Sequence, residues 1–412
     1  MRILVVTHYF PPEIGAPQAR LSELAHLWAA AGDRVTVLTG MPNHPTGVVP
    51  SEYRGKLRLE EEVDGYQVVR NWVYATPNEK VVKKSLGHLS FMVSGVILGT
   101  RRSGPADVVV VSSPTFFSIA SAWLLARLKG AKLVVEVRDL WPAIIVELGV
   151  LSNRRVIRVL ERLELKAYRA ADQIVVVSEG FRGHLTARGV PPDKVHTIPN
   201  GVDLGLFCPD GANGGKSRAR LGAPEGKVLV LYVGAHGISQ GLTTLADAAA
   251  RLGGEAVHFS FVGEGSRKQH LERHIRRLGL TNVTLVPGVP RNQVPGLLAA
   301  ADICVVCLRD VPLFSSFIPS KIFEYLGAGK AVVGSVRGET ADILRRGGAV
   351  VVEPGDAAAI ADAVRELAGD PCRRAAMGEK ARLYVSEHFN RHTQAERYRT
   401  MLRATVSGST ST

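Results

Sequence analysis

The stretch from Pro312 to Lys330 carries the residues with the most specific chemistry in this chain. A loop punctuated by proline runs into a short amphipathic segment, and Ser320 stands where the N-cap of a helix is expected. The start of a helix presents unpaired backbone N–H groups, and Lys321 adds an ammonium, so phosphate is the natural ligand. Glu324 follows among apolar neighbours, where its carboxylate could accept two vicinal ribose hydroxyls. The spacing predicts half of a nucleoside diphosphate site; the alternative is a surface helix whose glutamate faces water.

The composition limits the class of partner. The 412 residues, 46% hydrophobic and 22% charged, are enough for two ordinary globular domains. A net charge of +13, from 51 basic and 38 acidic residues, predicts attraction to an anionic partner. Because the basic residues are scattered and the aromatic residues are few and dispersed, we expect that partner not to be a nucleic acid.

Metal ligands and membrane spans are both missing from the sequence pattern. No Asp-x-Asp pair occurs, and Cys304 and Cys307 lie in an apolar run typical of a buried strand, where residues three apart point to opposite faces. The sequence therefore predicts no metal site and no cofactor. The N-terminal apolar run is too short for a signal peptide, and no span of about 20 apolar residues exists. We expect a cytoplasmic protein.

Elements of the same kind recur in the same order in the two halves of the chain. In each half an apolar strand is followed by a glycine-containing loop, a helix and a second strand. In the first half the strand, helix and second strand are at 3–7, 18–31 and 35–38; in the second half they are at 228–233, 242–252 and 259–262. This order predicts an α/β protein with two Rossmann-like domains. Further β-branched runs separated by helical lengths occur at 108–111, 133–137, 174–177, 283–286, 331–333 and 350–352.

The domain boundaries follow from these elements. We expect a first Rossmann-like domain over residues 1–203, a second over 204–385, a helix over 386–406 that crosses back to the first domain, and a disordered tail over 407–412. In open α/β sheets, ligands bind beyond the carboxyl ends of the strands, so both domains are expected to face one cleft. The loops predicted to line it are 7–15, 138–142, 234–241, 263–265 and 312–324.

Five segments together resemble glycosyltransferase family 4, the retaining sugar-nucleotide transferases with the two-Rossmann GT-B fold. They are His-Tyr-Phe-Pro-Pro-Glu at 8–13, Asn-His-Pro-Thr-Gly at 43–47, Arg-Asp-Leu-Trp-Pro at 138–142, Ile-Pro-Asn-Gly-Val-Asp at 198–203 and Pro-Ser-Lys-Ile-Phe-Glu-Tyr at 319–325. The third and fifth are similar to the branch that builds bacterial surface polysaccharides, including N-acetylfucosamine transferases.

The resemblance implies transfer of an N-acetylated or deoxy amino sugar from a UDP-sugar to a hydroxyl of a lipid-linked or other glycan acceptor. The first domain would bind the acceptor and the second the donor. Two other functions remain open: a UDP-sugar 2-epimerase on the same fold, and a non-catalytic nucleotide-sugar-binding assembly protein. The second of these is suggested by departures from the family pattern.

These departures concern the donor sugar, at Ser316, and the donor diphosphate, at Ala235 and Gln240. Glu324 matches the second glutamate of the family's Glu-x7-Glu motif, which implies that it holds the ribose, but Ser316 stands at the first glutamate. Ala235 and Gln240 stand where the family keeps an arginine and a lysine. Other groups must then neutralise the negative charge of the diphosphate. The candidates are Lys321, Arg138, Arg20 and the amides at helix N-termini.

Small and polar residues in the predicted loops complete the donor site. Gly15 would let the backbone approach the donor phosphates, or is a plain turn glycine. His236, beside Gly234, could donate to a phosphate oxygen, although a lone histidine is more often structural. The donor-binding candidates are Gly15, Gly234, His236, Gln240, Gly263, Ser316, Ser320, Lys321 and Glu324.

Three residues are candidates for catalysis: Asp139, His8 and Arg138. Asp139 follows the strand predicted at 133–137, and it could position an acceptor hydroxyl, accept its proton, cap a helix or pair with Arg138. His8 could do similar work or satisfy a loop. We expect the departing phosphate to be neutralised by cations and amides of the protein, without a metal.

The apolar segment 86–99 is flanked by Lys83-Lys84 and Arg101-Arg102. It is too short to span a bilayer but suits a helix that lies on an anionic membrane surface. The alternative is a core helix of the first domain. The first interpretation extends the predicted membrane contact over residues 81–102 and places the protein peripherally at the inner face of the plasma membrane.

Overall fold

A computed structural model describes residues 1–44, 46–77, 81–113, 116–149, 151–209 and 214–408. The chain divides into two compact units. Unit 1 comprises Met1–Pro199 and His392–Thr412, and unit 2 comprises Asn200–Arg391. Unit 2 thus begins shortly before the boundary predicted at 203/204, and the chain returns to unit 1 at His392.

Unit 1 is built on an eight-stranded sheet. Its strands are β1 (Arg2–Val6), β2 (Arg34–Gly40), β3 (Arg58–Val63), β4 (Tyr66–Asn71), β5 (Val108–Ser113), β6 (Lys132–Val137), β7 (Gln173–Val176) and β8 (Val195–Thr197). Their order is β3-β4-β2-β1-β5-β6-β7-β8, and only β3 is antiparallel to its neighbour. Valine, isoleucine and leucine dominate β1 and β5 because helices cover both faces of a parallel sheet.

Seven helices of unit 1 precede the crossing to unit 2. They are α1 (Ala16–Ala30), α2 (Val81–Ile97), α3 (Gly99–Arg102), α4 (Phe116–Lys129), α5 (Ala143–Glu147), α6 (Arg154–Ala170) and α7 (Glu179–Ala187), with a 3-10 turn at Pro192–Lys194.

Unit 2 is built on six parallel strands. They are β9 (Val228–Val233), β10 (Val257–Val262), β11 (Val283–Val286), β12 (Ile303–Cys307), β13 (Ala331–Ser335) and β14 (Val350–Val352). Their order, β11-β10-β9-β12-β13-β14, is the Rossmann order 3-2-1-4-5-6. The α/β class and the two Rossmann-like domains predicted from the sequence are therefore confirmed.

The helices of unit 2 surround this sheet. They are α8 (Gly214–Arg220), α9 (Leu242–Arg251), α10 (Lys268–Arg277), α11 (Val294–Ala300), α12 (Lys321–Gly327), α13 (Gly338–Arg346), α14 (Ala357–Gly369) and α15 (Pro371–His388), with 3-10 turns at Arg291–Gln293 and Pro312–Ser316. Cys304 and Cys307 are both buried in β12 as packing residues.

The last helix, α16 (Arg391–Ser407), packs in unit 1. Its Ala395 carbonyl accepts a hydrogen bond from the indole of Trp28 at 3.1 Å, and Tyr398 stacks edge-on against the same ring. The helix begins at Arg391 and not at residue 386, because α15 continues to His388. Ser407, assigned to the tail, is helical, and residues 409–412 of that tail lie outside the described residues.

The two ends of unit 2 pair with each other. Val202 and Asn390 form an isolated parallel β-bridge. The N–H of Val202 donates to the carbonyl of Phe389 at 2.9 Å, and the N–H of Arg391 donates to the carbonyl of Val202 at 3.0 Å. The first and last residues of the unit are thereby held side by side.

Each sheet has a point at which the strand order reverses, between β1 and β5 in unit 1 and between β9 and β12 in unit 2. Ligands of doubly wound sheets bind outside the carboxyl ends of the strands at such a point. His8 follows β1, and Gly234 follows β9. The topology therefore brings sequence-predicted candidates to the expected edge of each sheet.

Candidate active site

Lys321 is the most unusual charged residue of unit 2. Its Nζ is buried and has no hydrogen-bond partner among the described residues, and it lies 3.7 Å from the centroid of the Tyr232 ring. Burial lowers the pKa of this lysine from 10.5 to about 7, while Cys307 and Glu324 act in the opposite direction. A buried ammonium without an acceptor is costly, so the position favours an anionic ligand.

The helix that carries Lys321 is fastened to the end of β9. The hydroxyl of Tyr325 accepts a hydrogen bond from the N–H of Val233 at 2.9 Å and lies 3.1 Å from the carbonyl of the same residue. Gly234 follows, and a Cβ at that position would lie 2.5 Å from Nζ of Lys321. The absence of a side chain at Gly234 therefore makes room for the lysine.

Ser320 stands at the N-cap position of α12, as predicted, but the expected side-chain cap is not formed. Ser320 has helical φ and ψ angles, and its side chain makes no cap hydrogen bond. The N–H groups of Ile322 and Phe323 donate to the carbonyls of Pro319 and Ser320, at 3.1 and 3.2 Å. Two of the N–H groups predicted to bind phosphate are therefore already hydrogen-bonded within the first turn. Both bonds join residues i and i−3, as in a 3-10 helix.

Glu324 lies on α12, one turn after Lys321, and has a partner that the sequence did not suggest. Arg291 donates from Nη1 to Oε1 of Glu324 at 2.6 Å. The glutamate side chain is 16% exposed and the arginine side chain 30% exposed, so the ion pair is largely shielded from water. The sequence suggested a carboxylate isolated among apolar groups, whereas Glu324 has a charged partner.

The glycines of the neighbouring loops allow the loops to approach each other. A Cβ at Gly263 would collide with the carbonyl oxygen of Gly234, and one at Gly265 would collide with the backbone of His236. The N–H of His236 also donates to the carbonyl of Glu264 at 2.8 Å. The loops after β9 and β10 therefore pack tightly against each other beside Lys321.

His236 is buried where these two loops pack together. Neither ring nitrogen has a hydrogen-bond partner in the part of the chain that the structure describes. Burial, together with the charges of Lys268 and Lys321, lowers the pKa of His236 to about 4, so the ring is neutral at neutral pH. A neutral imidazole can donate only one hydrogen bond, which limits any role toward phosphate.

Gln240 holds its own loop, and Ser316 lies at the end of a turn. The side-chain oxygen of Gln240 accepts the N–H of Gly237 at 3.1 Å, within the loop after β9. Ser316 ends the 3-10 turn Pro312–Ser316, and the next carbonyl, of Phe317, accepts a hydrogen bond from Thr340 of α13. The structure places both residues at the carboxyl edge of the sheet, with Gln240 turned onto its own loop.

In unit 1, Arg138 and Asp139 follow β6 as predicted. Nε and Nη1 of Arg138 are buried without a hydrogen-bond partner among the residues described. Burial raises the pKa of Asp139 to about 6, against the influence of Arg138. A half-buried carboxylate with this pKa is ionised at neutral pH and can accept a proton.

Arg20 is not available to a ligand, which corrects its proposed role toward the diphosphate. Its Nε donates to Oε1 of Glu136 at 2.8 Å, and its Nη atoms donate to the carbonyls of Ile198 and Pro199 at 3.1 and 2.9 Å. Both side chains of the ion pair are buried. Of the three cations proposed from the sequence, Lys321 and Arg138 remain.

His8 belongs to an aromatic cluster with Tyr9, His44 and His88. The His8 ring centroid lies 4.4 Å from those of Tyr9 and His88, and Tyr9 lies 5.1 Å from His44. Burial and the neighbouring imidazoles hold the pKa of His8 well below its usual value of 6.5. His8 and Asp139 follow strands separated by β5, so their backbones are about 10 Å apart.

Glu13 connects the loops around this cluster. Its Oε1 accepts the N–H groups of Asn43 and His44 at 2.7 and 2.8 Å, and its Oε2 accepts that of Phe10 at 3.0 Å. Gly15 caps α1 nearby, where an added Cβ would meet the side chain of Gln18. Sequence reasoning did not assign roles to Glu13, His44, His88 or Arg291, because their partners come from distant segments.

Over the described ranges, no group of three or more His, Cys, Asp or Glu side chains is arranged to hold a metal ion. In the same residues, no helix has both the length and the apolar character needed to cross a bilayer.

Comparison with known proteins assigns the chain to a class. The family model for the glycosyl transferase 4-like domain matches residues 15–201, and the model for glycosyl transferases group 1 matches residues 215–384. The two matches fall on the two Rossmann-like units and define a glycosyltransferase of the GT-B fold. The chain belongs to the GT4-type glycosyltransferases.

Relatives and solved structures agree with this class. WcaI of Escherichia coli (strain K12), named for glycosyl transfer in colanic acid biosynthesis, is 27% identical over 89% of this chain and 92% of its own. A GDP-mannose-dependent alpha-(1-6)-phosphatidylinositol monomannoside mannosyltransferase of Mycolicibacterium smegmatis is 25% identical over 97% of this chain and 98% of its own.

Among solved structures, sucrose-phosphate synthase from Thermosynechococcus elongatus covers 99% of this chain and 100% of its own, with a TM-score of 0.76 and 20% identity. Anabaena Alr3699/HepE in complex with UDP-glucose covers 98% and 100%, with a TM-score of 0.74 and 18% identity. These two structures share the fold of this chain.

Proposed function

We propose that the protein transfers an N-acetylated or deoxy amino sugar from a UDP-sugar to a hydroxyl of a lipid-linked or other glycan acceptor. The transfer retains the anomeric configuration and serves the synthesis of a bacterial surface polysaccharide, such as lipopolysaccharide or capsule. Unit 2 binds the donor and unit 1 binds the acceptor in this proposal.

The observation that carries the proposal is the buried ammonium of Lys321 beside Gly234, one turn before Glu324. A donor phosphate supplies the acceptor atoms that this ammonium lacks among the described residues. Glu324 is then placed to accept ribose hydroxyls, since a carboxylate bonded once by Arg291 retains further lone pairs. His236, Gly263, Ser316 and Gly15 are proposed to shape the donor site.

The nucleotides named for similar proteins differ. Alr3699/HepE was solved with UDP-glucose, which supports a UDP-sugar, whereas the mycobacterial relative is named as GDP-mannose-dependent. Both donors contain a ribose and a diphosphate, which are the groups that Glu324 and Lys321 are proposed to meet. UDP is preferred here because the polysaccharide-building branch is the one that the motifs resemble.

Acceptor activation is assigned to unit 1. Asp139 has a pKa raised to about 6 by burial, so it is ionised at neutral pH and can position the acceptor hydroxyl or take its proton. His8 and Arg138 are the other proposed participants. The departing phosphate helps to deprotonate the acceptor, and protein cations neutralise it without a metal ion.

A membrane contact is proposed for α2. Phe91 is buried on the inner side of the helix. Leu86, Leu89, Val93 and Ile97 are exposed on the outer side and 39–70% accessible. Lys83 is exposed before this stripe and Arg101 and Arg102 after it, while the side chain of Lys84 lies outside the described residues. A helix with one face in the core and one apolar face outward suits an anionic membrane surface, where a lipid-linked acceptor would be found.

The function is tested by incubating the full chain with a panel of UDP-sugars and GDP-mannose, with and without glycan and lipid-linked acceptors. A new glycoside with retained configuration, identified by NMR, is the expected result. Isomerisation of the donor without an acceptor would instead identify an epimerase. Binding without turnover would identify an assembly protein. Lys321→Met, which is expected to bind the donor nucleotide at least tenfold more weakly, serves as the matched variant with reduced turnover.

A further inference from the structure

Arg291 lies on the edge of unit 2 that carries Lys321, and no role follows for it from the motifs of the chain. It opens the 3-10 turn Arg291–Gln293 after β11. Its guanidinium donates to Oε1 of Glu324 at 2.6 Å, and its central carbon lies 5.4 Å from the centroid of the Phe207 ring. The arginine thus has an apolar face on one side and the proposed ribose-binding carboxylate at its edge.

The support beneath the arginine is rigid. Phe207 is completely buried, and its carbonyl accepts a hydrogen bond from Arg382 at 2.8 Å. A guanidinium resting on an aromatic face has little freedom to rotate. Because one edge of this plane bonds Glu324, the orientation of the carboxylate depends on residues 207 and 291 as well as on its own helix.

The ion pair also affects the cost of removing water from Glu324 when a nucleotide binds. A ligand that covers Glu324 removes water from a carboxylate that is already only 16% exposed. An ionised carboxylate without a charged partner would resist such desolvation. One bond from Arg291 balances the charge and leaves lone pairs on the carboxylate for two hydroxyl donors.

We propose that Arg291 is a positioning residue for nucleotide recognition: it orients the Glu324 carboxylate toward the 2′- and 3′-hydroxyls of the donor ribose and balances the charge of that carboxylate when the nucleotide covers it. The inference rests on the proposed function, because it assumes that Glu324 binds the ribose. It applies equally to UDP and GDP, which share this sugar.

The test compares the affinities of UDP and 2′-deoxy-UDP by calorimetry. In the unaltered chain we expect UDP to bind about tenfold or more tightly than its deoxy analogue, the effect of one charge-assisted hydrogen bond. Arg291→Ala and Glu324→Gln should each bring this ratio close to one, and Arg291→Lys should restore part of it. The double variant should bind like Glu324→Gln alone. If GDP is the nucleotide that binds, GDP and 2′-deoxy-GDP replace the uridine pair.

Controls separate the inference from a loss of charge or of folding. Arg276 is exposed on α10 and paired with Glu272, so Arg276→Ala removes one charge from the same unit and should leave the ratio unchanged. Circular dichroism establishes folding, and Arg291→Gln and Arg291→Lys carry the test if Arg291→Ala does not fold.

Two results overturn the inference. A ratio that collapses in Glu324→Gln but persists in every folded Arg291 variant shows that the arginine plays no part, while the proposed function stands. Tighter UDP binding by Arg291→Ala shows that the arginine competes with the ribose. A ratio that persists in Glu324→Gln refutes the ribose assignment in the proposed function itself.

Discussion

Replacement of Lys321 by methionine should stabilise the ligand-free protein while it weakens nucleotide binding. The side chain keeps a similar length and loses its charge, so the buried Nζ, which has no hydrogen-bond partner in the described part of the chain, disappears. The folded-state pKa of Lys321 is about 7, and the ordinary value is 10.5. At 1.36 kcal/mol per pH unit, this difference corresponds to a penalty of about 5 kcal/mol.

The penalty depends on pH in a defined direction. Between pH 7 and 10.5 the unfolded chain holds a proton on this lysine that the folded chain has released, so stability rises with pH in that window. Below pH 7 both states are protonated and the full penalty applies. Methionine removes the penalty but also the contact with the Tyr232 ring, worth about 1–2 kcal/mol. The net gain near neutral pH should be roughly 3 kcal/mol, seen as a Tm increase of several degrees.

Nucleotide binding reports on the same group. A diphosphate next to Lys321 favours the ammonium, so UDP binding should take up a proton when the pH is about one unit above the lysine pKa. Calorimetry in buffers of different ionisation enthalpy measures this uptake directly. Lys321→Met should bind UDP at least tenfold more weakly, because a charge-assisted bond is lost, and should show no uptake. A variant no more stable than the original chain, together with UDP binding free of proton uptake, would refute the reasoning.

Four other outcomes are expected. Activity should fall as the pH falls through about 6 because Asp139 becomes protonated, and Asp139→Asn should lose that limb of the pH–rate profile; an unchanged limb would exclude Asp139 as the base. EDTA should leave turnover intact, and activity lost with EDTA and restored by Mg²⁺ or Mn²⁺ would contradict a metal-independent reaction. Gly263→Ala should lower the free energy of unfolding by more than about 2 kcal/mol because its Cβ would collide with the Gly234 carbonyl; Gly254→Ala, with open space around its Cβ, is the control for the denaturation curves. Val93→Asp should reduce sedimentation with anionic vesicles, whereas Leu383→Asp, at an exposed leucine of unit 2, should not.

The sheets could be predicted from the sequence because each buried parallel strand is a short run of apolar residues that is visible in the sequence itself. Runs of valine, isoleucine and leucine mark β1, β5, β9 and β12, and the lengths between them fit crossover helices. The placement of Lys321 and Glu324 at the carboxyl edge then follows from topology alone.

Contacts between distant segments could not be read in the same way. Arg291 and Glu324 are 33 residues apart, and nothing in the residues around either one specifies the other. His8, His44 and His88 come from two loops and a helix that only the folded sheet brings together. The failed Ser320 cap has a local cause: the backbone tightens into 3-10 geometry and uses the amides that a cap would serve.

The bridge between Val202 and Asn390 makes unit 2 a continuous insert whose two ends meet. An inserted segment with adjacent ends can be removed or exchanged as a cassette, because the host chain needs only a short splice at the junction. Residues 200–391 are therefore the natural fragment to express alone for NMR titration with nucleotides. Since donor binding is proposed for unit 2, they are also the segment to exchange with a relative when the donor preference is to be changed and unit 1 is to be left as it is.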